Sequence, residues 1–234
     1  MNKDIAVLIP ALNEEKMIGG LVAELKERFE VVVVVDDGSS DRTSLLAKEN
    51  GAVVLQHSKC KGKGEALKTG FRYILEERAN ISAVLTMDGD GQHQVSDVAN
   101  FETSYRRNKN TFMWVGKRKI KGTDMPFIRR LTNISMSFII SFFSGQWIPD
   151  TQNGFRLIKT PVIKNVRLIT SNFETESELL IKAGWKRYKI GSVPISTVYS
   201  EEKSKINPIR DTMRFFRMLA IVFFPLLLRI KRKK

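Results

Sequence analysis

The sequence predicts an α/β protein with a doubly wound sheet of mostly parallel strands flanked by helices, on two observations. First, short apolar runs alternate with helical patterns from residue 5 to residue 93, the order expected when helices connect parallel strands. Second, Val31–Val35 is β-branched throughout, which is typical of a strand covered on both faces. In such folds ligands bind beyond the carboxyl ends of the strands.

Each strand and helix is predicted from the pattern of its own residues. Strands are predicted at residues 5–9, closed by Pro10, at 31–35, at 52–55 and from residue 81 to the acidic segment at 88. Helices are predicted at residues 13–29, at 41–50 with Asp41 as N-cap, and at 65–78. A basic loop, residues 59–64, precedes the third helix.

Polar side chains follow three of these strands where each strand ends. They are Asn13 and Glu14, Asp36 and Asp37, and Asp88 and Asp90. Because the carboxyl ends of parallel strands meet at one edge of a sheet, we expect them to lie together beside the basic loop. Carboxylates and amides there suit the base and ribose of a nucleotide-sugar, and basic groups suit its diphosphate.

Asp88 and Asp90 are also candidate metal ligands. Two carboxylates separated by one glycine can converge on a hard cation, and Gln92 adds a neutral oxygen. Each cluster also has a simpler interpretation that stays open: Asp88 to Asp90 as a polar turn, Asp36 and Asp37 as a turn with a helix cap, and the basic loop as a solvated linker.

Composition limits the class of protein. A chain of 234 residues with 42% hydrophobic residues can bury one sizeable core. The net charge of +14, more than half of it after residue 201, predicts an anionic partner. The single cysteine, Cys60, excludes an intrachain disulfide and fits a reducing compartment. The first residues lack the pattern of a signal peptide, so we expect a cytoplasmic location.

Several motifs, in this order and spacing, resemble the family-2 inverting glycosyltransferases of GT-A fold. Within that family the likeness is to dolichyl-phosphate mannosyltransferases and related polyprenyl-phosphate glycosyltransferases. The motifs are residues 10–15 (PALNEE), 35–41 (VDDGSSD), 62–66 (GKGEA), 87–93 (MDGDGQH), 116–118 (GKR), 150–156 (DTQNGFR), 173–176 (FETE) and 204–205 (SK). The resemblance covers roughly residues 4–206 and implies transfer of a hexose from a UDP- or GDP-sugar to a polyprenyl phosphate.

The resemblance also implies residue roles. The donor pocket would be lined by Pro10, Asn13, Glu14, Asp36, Asp37, Lys63 and Asp88. Mg²⁺ or Mn²⁺ would be held by Asp88, Asp90 and Gln92. The acceptor phosphate would be bound by Arg118, Arg129, Arg130, Ser204 and Lys205. The catalytic set would be Asp88, Asp90, Arg118 and Glu176. Where relatives typically read Arg-x-x-Gly-x-Ser-Lys, residues 199–205 keep only the final Ser-Lys, so the resemblance leaves open the sugar and the choice between a dolichyl- and an undecaprenyl-type acceptor.

The nature of the acceptor decides whether a base is needed. A phosphate acceptor is already an anion, so positioning by arginines can suffice. A hydroxyl of a glycolipid or glycan would need a base, and Glu174 or Glu176 is the candidate. Glu176 has an equally open interpretation as an acid at a helix N-terminus. We expect His57 and His93 to be loop residues and Cys60 to have no catalytic role.

The last part of the chain predicts an association with membranes. Residues 126–143 have helical spacing, either as a core helix or as one lying on lipid, and the second is favoured. The apolar run 218–228 is shorter than the roughly 20 residues that span a bilayer, and Pro225 is expected to kink or break it. With the basic residues around it, the run predicts an amphipathic helix in the membrane interface. The alternative is a helix packed on the domain or on a second subunit.

We therefore predict two parts: a GT-A domain, residues 1–206, and a membrane-associating segment, residues 207–234. The protein is expected to be peripheral, at the cytoplasmic face of the cell membrane, with an anionic membrane surface as partner and homo-oligomers possible. A basic nucleic-acid-binding protein is a different class that could explain the charge. It is disfavoured because the strand-end cluster is acidic and the chain has no recognisable nucleic-acid motif.

Overall fold

The computed structural model describes the backbone of residues 1–118, 127–196 and 208–231, and their side chains except those of 127–131, 208–209 and 224–231. The strands are β1 (Asn2–Ala11), β2 (Phe29–Asp36), β3 (Val53–Gln56), β4 (Ala83–Thr86), β5 (Met113–Arg118), β6 (Arg156–Lys159) and β7 (Ile190–Ile195). The helices are α1 (Glu15–Arg28), α2 (Thr43–Glu49), α3 (Lys63–Glu77), α4 (Val98–Arg107), α5 (Phe127–Ser144), α6 (Thr160–Asn165), α7 (Glu174–Trp185) and α8 (Pro208–Lys231), with a 3-10 turn at Val95–Asp97.

The described strands form one sheet in the order β3-β2-β1-β4-β6-β5-β7. Strands β1 to β4 pair in parallel, as do β5 and β7, whereas β6 runs antiparallel to both of its neighbours. The prediction of a mixed, mostly parallel sheet flanked by helices is confirmed.

The sheet is buried on both faces, as the β-branched strands predicted. Along β1, Ala6 and Leu8 point into one apolar cluster and Ile5, Val7 and Ile9 into the other, because side chains alternate along a strand. Helices α3, α5, α6, α7 and α8 contribute to the first cluster, and α1, α2 and α4 contribute to the second. The result is a three-layer arrangement with the sheet in the middle.

Several predicted boundaries shift. Pro10 does not close the first strand but lies inside β1, paired with Val35. Lys63 belongs to the first turn of α3 rather than to the basic loop. Asp41 precedes α2, whose N-cap is Arg42, although its carboxylate accepts a hydrogen bond from Thr43 N at 3.0 Å. Pro225 does not end a helix, because α8 continues to Lys231.

Helix α8 packs on the domain through one face. Its buried side chains, Phe215, Met218, Leu219 and Val222, join the first apolar cluster, and Phe223 contacts both Phe143 and Trp185. The other face exposes Met213 and Phe216. No helix within the described residues has both the length and the hydropathy needed to span a bilayer.

Candidate active site

The candidate site lies where β1, β2 and β4 end. These strands pair in parallel, with Ala11 opposite Asp36 and Leu8 opposite Thr86, so the segments that follow them reach the same edge of the sheet. Gly89 lies against Glu14, since a Cβ added at Gly89 would be 3.3 Å from Glu14 Cγ. The structure therefore brings the polar segments after the first and fourth strands together.

Asp88 forms an ion pair across this edge. Lys63 Nζ, at the start of α3, lies 2.6 Å from Asp88 Oδ1. Burial by itself raises the pKa of Asp88, but the Lys63 ammonium, together with the nearby charges of His93 and Arg156, outweighs that effect and brings the pKa to about 2. Burial likewise opposes the charge of Lys63, yet Asp88 and Glu176 raise the pKa of its ammonium well above the ordinary value. Both groups are therefore charged at neutral pH.

Asp90 has a different environment. Burial, and then the nearby charge of Asp88, raise the pKa of Asp90 above its usual value. Its Oδ1 accepts a hydrogen bond from Gln92 N at 3.0 Å, which folds the segment into a tight turn. Two carboxylates in this turn, one of them disfavoured by the other's charge, are an arrangement that a bound cation would stabilise.

His93 closes the same turn. Its Nδ1 accepts a hydrogen bond from Asp88 N at 3.1 Å, and its ring stacks on Phe155 at a centroid distance of 4.9 Å. Burial lowers the pKa of His93 below its ordinary value. The residue does lie in a loop, as expected, but it fixes the backbone of the acidic turn.

Glu176, in the first turn of α7, reaches the site from the other side. Its Oε2 lies 2.9 Å from Lys63 Nζ, and its Oε1 lies 3.9 Å from Arg156 Nη2. Arg156 is 1% exposed and donates to three backbone carbonyls, those of Asn153, Thr151 and Glu176. Lys63 and Arg156 thus hold the Glu176 carboxylate in an ion-paired network.

Asp37 organises the loop before α3. Its carboxylate accepts hydrogen bonds from Lys61 N at 2.9 Å, from Gly62 N at 2.7 Å and from Cys60 Sγ at 3.2 Å. His57 Nδ1 lies 2.6 Å from the same carboxylate. Although burial works against the charge, these hydrogen bonds lower the pKa of Asp37 below its usual value. The side chain therefore supports the loop that leads to Lys63.

The remaining residues predicted to bind the sugar donor are buried or form hydrogen bonds within the protein. Asp36 is fully buried and accepts from Ser39 N at 2.9 Å and from Gln56 Nε2 at 3.2 Å. Asn13 has a positive φ of 53° and accepts from Ser40 N at 2.9 Å. Glu14 is 8% exposed, and its N–H donates to Thr43 Oγ1 at 2.7 Å. Pro10 is buried in β1. Their direct contact with a donor stays a prediction.

Arg118 ends β5 and forms a two-bond pair with Asp150. Its Nε and Nη2 lie 2.8 Å from Asp150 Oδ2 and Oδ1 respectively. Asp150 is 4% exposed, so the pair fixes the guanidinium at the edge of the site. Of the other predicted acceptor residues, Ser204 and Lys205 lie outside the described residues, as do the side chains of Arg129 and Arg130.

The donor atoms suit a hard divalent cation that shares its coordination with a ligand. Within the described residues, no group of three or more His, Cys, Asp or Glu side chains is arranged to hold a metal. Asp88 and Asp90 offer two carboxylates, and Gln92 offers an amide oxygen. Mg²⁺ is commonly held by one or two carboxylates plus phosphate oxygens of the substrate, so two carboxylates fit an ion completed by a diphosphate.

Sequence reasoning missed four residues that build the site. They are His57, Asp150, Arg156 and, as more than a loop residue, His93. Asp150, Arg156 and His93 lie inside quoted motifs, and that position was the available signal, whereas His57 lies outside all of them. What the sequence could not show was burial, which turns an arginine or histidine into a support for its neighbours.

Comparison with known proteins identifies the family of this chain. The model of the Glycosyl transferase family 2 matches residues 6–167. A UDP-N-acetylglucosamine–dolichyl-phosphate N-acetylglucosaminyltransferase of Methanococcus voltae is 33% identical, with 86% of this chain and 88% of that protein aligned. A dolichyl-phosphate hexose transferase of Haloferax volcanii is 30% identical, with 88% of this chain and 87% of that protein aligned.

The fold has relatives among solved structures. Glucosyl-3-phosphoglycerate synthase from Mycobacterium tuberculosis, crystallised with Mn²⁺, UDP and glucosyl-3-phosphoglycerate, superimposes with a TM-score of 0.74 at 16% identity. The match covers 94% of this chain and 79% of the synthase. At this identity the likeness establishes the fold alone, and it confirms the predicted GT-A type. With the family model matching well over half of its length, this chain belongs to glycosyl transferase family 2.

Proposed function

We propose that this protein transfers a hexose from a nucleotide-sugar to a polyprenyl phosphate, with inversion at the anomeric carbon and with Mg²⁺ or Mn²⁺ bound. The observation that carries the proposal is the cluster at the end of β4, where Asp88 and Asp90 adjoin the Lys63 ammonium. A site with both signs of charge suits a nucleoside diphosphate and its cation. The dolichyl-phosphate acceptors of the two named relatives support a lipid phosphate here.

The protein's own groups have distinct tasks in this reaction. The bond that breaks joins the anomeric carbon to the diphosphate, so negative charge develops on the leaving group. A divalent ion held by Asp88, Asp90 and Gln92 would supply Lewis-acid stabilisation of that charge. Lys63 adds a positive charge beside it. Asp37 and His57 hold the loop that positions Lys63.

For the acceptor, Arg118 is the described residue that fits best. Its guanidinium ends β5 and is oriented by Asp150 on one edge, and its side chain remains 24% exposed. Arginine matches the geometry of a phosphate oxygen pair. Arg129, Arg130, Ser204 and Lys205 stay proposed contributors on sequence alone. Because a lipid phosphate is already ionised, it can attack without a general base.

Transfer to a hydroxyl of a glycolipid or glycan is the second candidate, and one observation bears on it. The base it requires would be Glu174 or Glu176. Glu176 is committed to Lys63 and Arg156, so accepting a proton would disturb both ion pairs. Glu174, in contrast, has a buried Oε2 with no hydrogen-bond partner, which makes it the better base candidate of the two.

We also propose that the protein binds an anionic membrane surface. Helix α5 exposes Ile134, Phe138 and Phe142, which lie four residues apart on one face. Helix α8 in the same layer exposes Met213 and Phe216. Exposed apolar side chains next to excess positive charge are typical of interfacial helices. The proposed docking face is this set of five residues, on the layer that contains α5 and α8.

Thermal stabilisation by ligands tests the donor site. We expect UDP or GDP, or one of their sugar derivatives, to raise the melting temperature with Mn²⁺ or Mg²⁺ present, because a ligand that binds only the folded state stabilises it. The shift should be lost in Asp90→Ala. If no nucleotide shifts the melting temperature with either metal, the proposed function is wrong.

The product identifies the acceptor. With radiolabelled donor and polyprenyl phosphate, a sugar linked through phosphate is released by mild acid, whereas a glycoside formed on a hydroxyl survives it. Acid-stable label with a glycolipid acceptor would replace the first candidate by the second. In that case Glu174→Gln should abolish transfer while leaving nucleotide binding intact.

A further inference from the structure

Lys63 contacts two carboxylates of the site, those of Asp88 and Glu176. Its Nζ lies 2.6 Å from Asp88 Oδ1 and 2.9 Å from Glu176 Oε2. The Lys63 side chain is 15% exposed, so the ammonium has exchanged most of its hydration for these two partners. Lys63 is thus shared by two acidic groups, and one of them, Asp88, is a proposed metal ligand.

The surroundings hold this ammonium in place. Arg156 Nη1 donates a hydrogen bond to the backbone carbonyl of Glu176 at 2.8 Å, which fixes the position of Glu176. Gly154 lies directly against the ion pair, because a Cβ added there would be 3.0 Å from both Lys63 Nζ and Asp88 Oδ1. The Phe173 ring lies 5.8 Å from Lys63 Nζ. The contact between Lys63 and Asp88 is therefore built into the packing of the site.

A divalent ion on Asp88 conflicts with this contact. Coordination of Mg²⁺ brings a carboxylate oxygen to about 2.1 Å, which would place the ion within a few ångströms of Lys63 Nζ. Two cations at that separation repel strongly in a poorly hydrated site. Once the ion pair with Asp88 is broken, the Lys63 ammonium can keep its ion pair with Glu176. A donor diphosphate would offer it new acceptor oxygens.

We propose that Lys63 and the divalent cation are alternative partners of the Asp88 carboxylate, so that metal binding moves the Lys63 ammonium from Asp88 towards Glu176 and the donor diphosphate. The inference rests on the proposed function, since it requires a metal and a diphosphate. Metal alone then binds weakly, because it must displace a cation. Metal with diphosphate binds tightly, because the displaced ammonium gains a new anion.

Mn²⁺ binding, followed by the electron paramagnetic resonance signal of the free ion, tests this without any assay of activity. Lys63→Gln should bind Mn²⁺ about tenfold more tightly than the wild type when no nucleotide is present. UDP or GDP, each tested separately, should increase the Mn²⁺ affinity of the wild type more than that of the variant. Lys61→Gln removes the same charge from an exposed position two residues away and should change Mn²⁺ affinity less than about twofold.

A second variant should change the Mn²⁺ affinity in the opposite direction. Glu176→Gln leaves Asp88 as the remaining carboxylate partner of Lys63, so it should weaken Mn²⁺ binding in the absence of nucleotide. If the melting curve of Lys63→Gln shows that this variant does not fold, Glu176→Gln still tests the proposed exchange. Equal or tighter Mn²⁺ binding by Glu176→Gln overturns the inference.

The outcomes separate this inference from the proposed function. If the wild type binds Mn²⁺ and Lys63→Gln binds it equally or more weakly, the exchange is wrong while the metal site stands. If neither wild type nor variants bind Mn²⁺, with or without UDP or GDP, both the exchange and the metal role in the proposed function are wrong.

Discussion

At the scale of single residues, Asp37 is a structural acid in the middle of a functional motif. Asp37→Asn should lower the free energy of unfolding at pH 7 by about 1–3 kcal/mol, because it removes a charged acceptor shared by Lys61 N, Gly62 N and His57. The pKa of Asp37 is lower in the folded state than its ordinary value. Its contribution is therefore complete above the unfolded pKa and is lost as pH falls through the folded pKa.

Denaturant unfolding of wild type and Asp37→Asn between neutral and strongly acidic pH measures this effect. The difference between the two proteins should shrink as pH falls below about 4. A difference that is the same in acid as at neutral pH would show that the charge of Asp37 contributes nothing.

Gly154 is a residue where absence of a side chain matters. A Cβ there would lie 2.9 Å from Asp88 Oδ2 and 3.0 Å from Lys63 Nζ, so Gly154→Ala should push this pair apart. We expect kcat/KM for sugar transfer to fall about tenfold or more, with little change in melting temperature. Gly20→Ala is the control, since a Cβ at Gly20 in α1 meets no atom within 4 Å. Equal activity of both variants would contradict this role.

How far the site could be predicted depended on sequence separation. Asp88, Asp90 and Lys63 sit in short motifs at strand ends, so their meeting followed from the parallel sheet. Glu176 belongs to the predicted catalytic set as a candidate base, but its pairing with Lys63 and Arg156 joins three separate motifs. Local periodicity carries no information about such contacts. The same holds for the pair of Arg118 with Asp150.

At the scale of elements, alternation identified β1 to β4 and the helices between them because each is a regular apolar pattern. β5, β6 and β7 are not among the predicted strands. β6, Arg156–Lys159, begins with a buried arginine and runs antiparallel to its neighbours, so it does not continue the alternation. The start of α3 was placed two residues late, since glycines on both sides of Lys63 suggested a loop. Gly62 does have a φ of +103°, but Gly64 lies in the helix where a Cβ would be 1.9 Å from Thr175 Oγ1.

Helix α8 offers a prediction with two residues of the same type. Met218 is 1% exposed and Met213 is 64% exposed. Met218→Ala should lower the free energy of unfolding by about 2–5 kcal/mol through a cavity between α8 and the domain, whereas Met213→Ala should change it by less than about 0.5 kcal/mol. Chemical denaturation measures both. Similar small values would mean that α8 behaves as a separate segment, as the division at residue 206 predicted.

At the scale of the whole molecule, charge and exposed apolar groups act together. The net charge of +14 provides long-range attraction to an anionic surface. In the proposed membrane contact, the exposed residues of α5 and α8 would provide short-range burial in its interface. Neither alone is expected to suffice, because electrostatic attraction is screened by salt and five apolar side chains bury little area.

We therefore expect the protein to sediment with vesicles that contain anionic lipid and to be released as salt rises from roughly 0.05 to 0.5 M. The double variant Phe138→Ser and Phe142→Ser should bind vesicles less well without a change in melting temperature, because these side chains are 62% and 72% exposed. Leu45→Ser, at a residue 48% exposed on α2 in the opposite layer, should bind as the wild type does. If Leu45→Ser weakens vesicle binding as much as the double variant does, binding is nonspecific hydrophobic adsorption. If binding does not depend on salt, the net charge does not contribute to it.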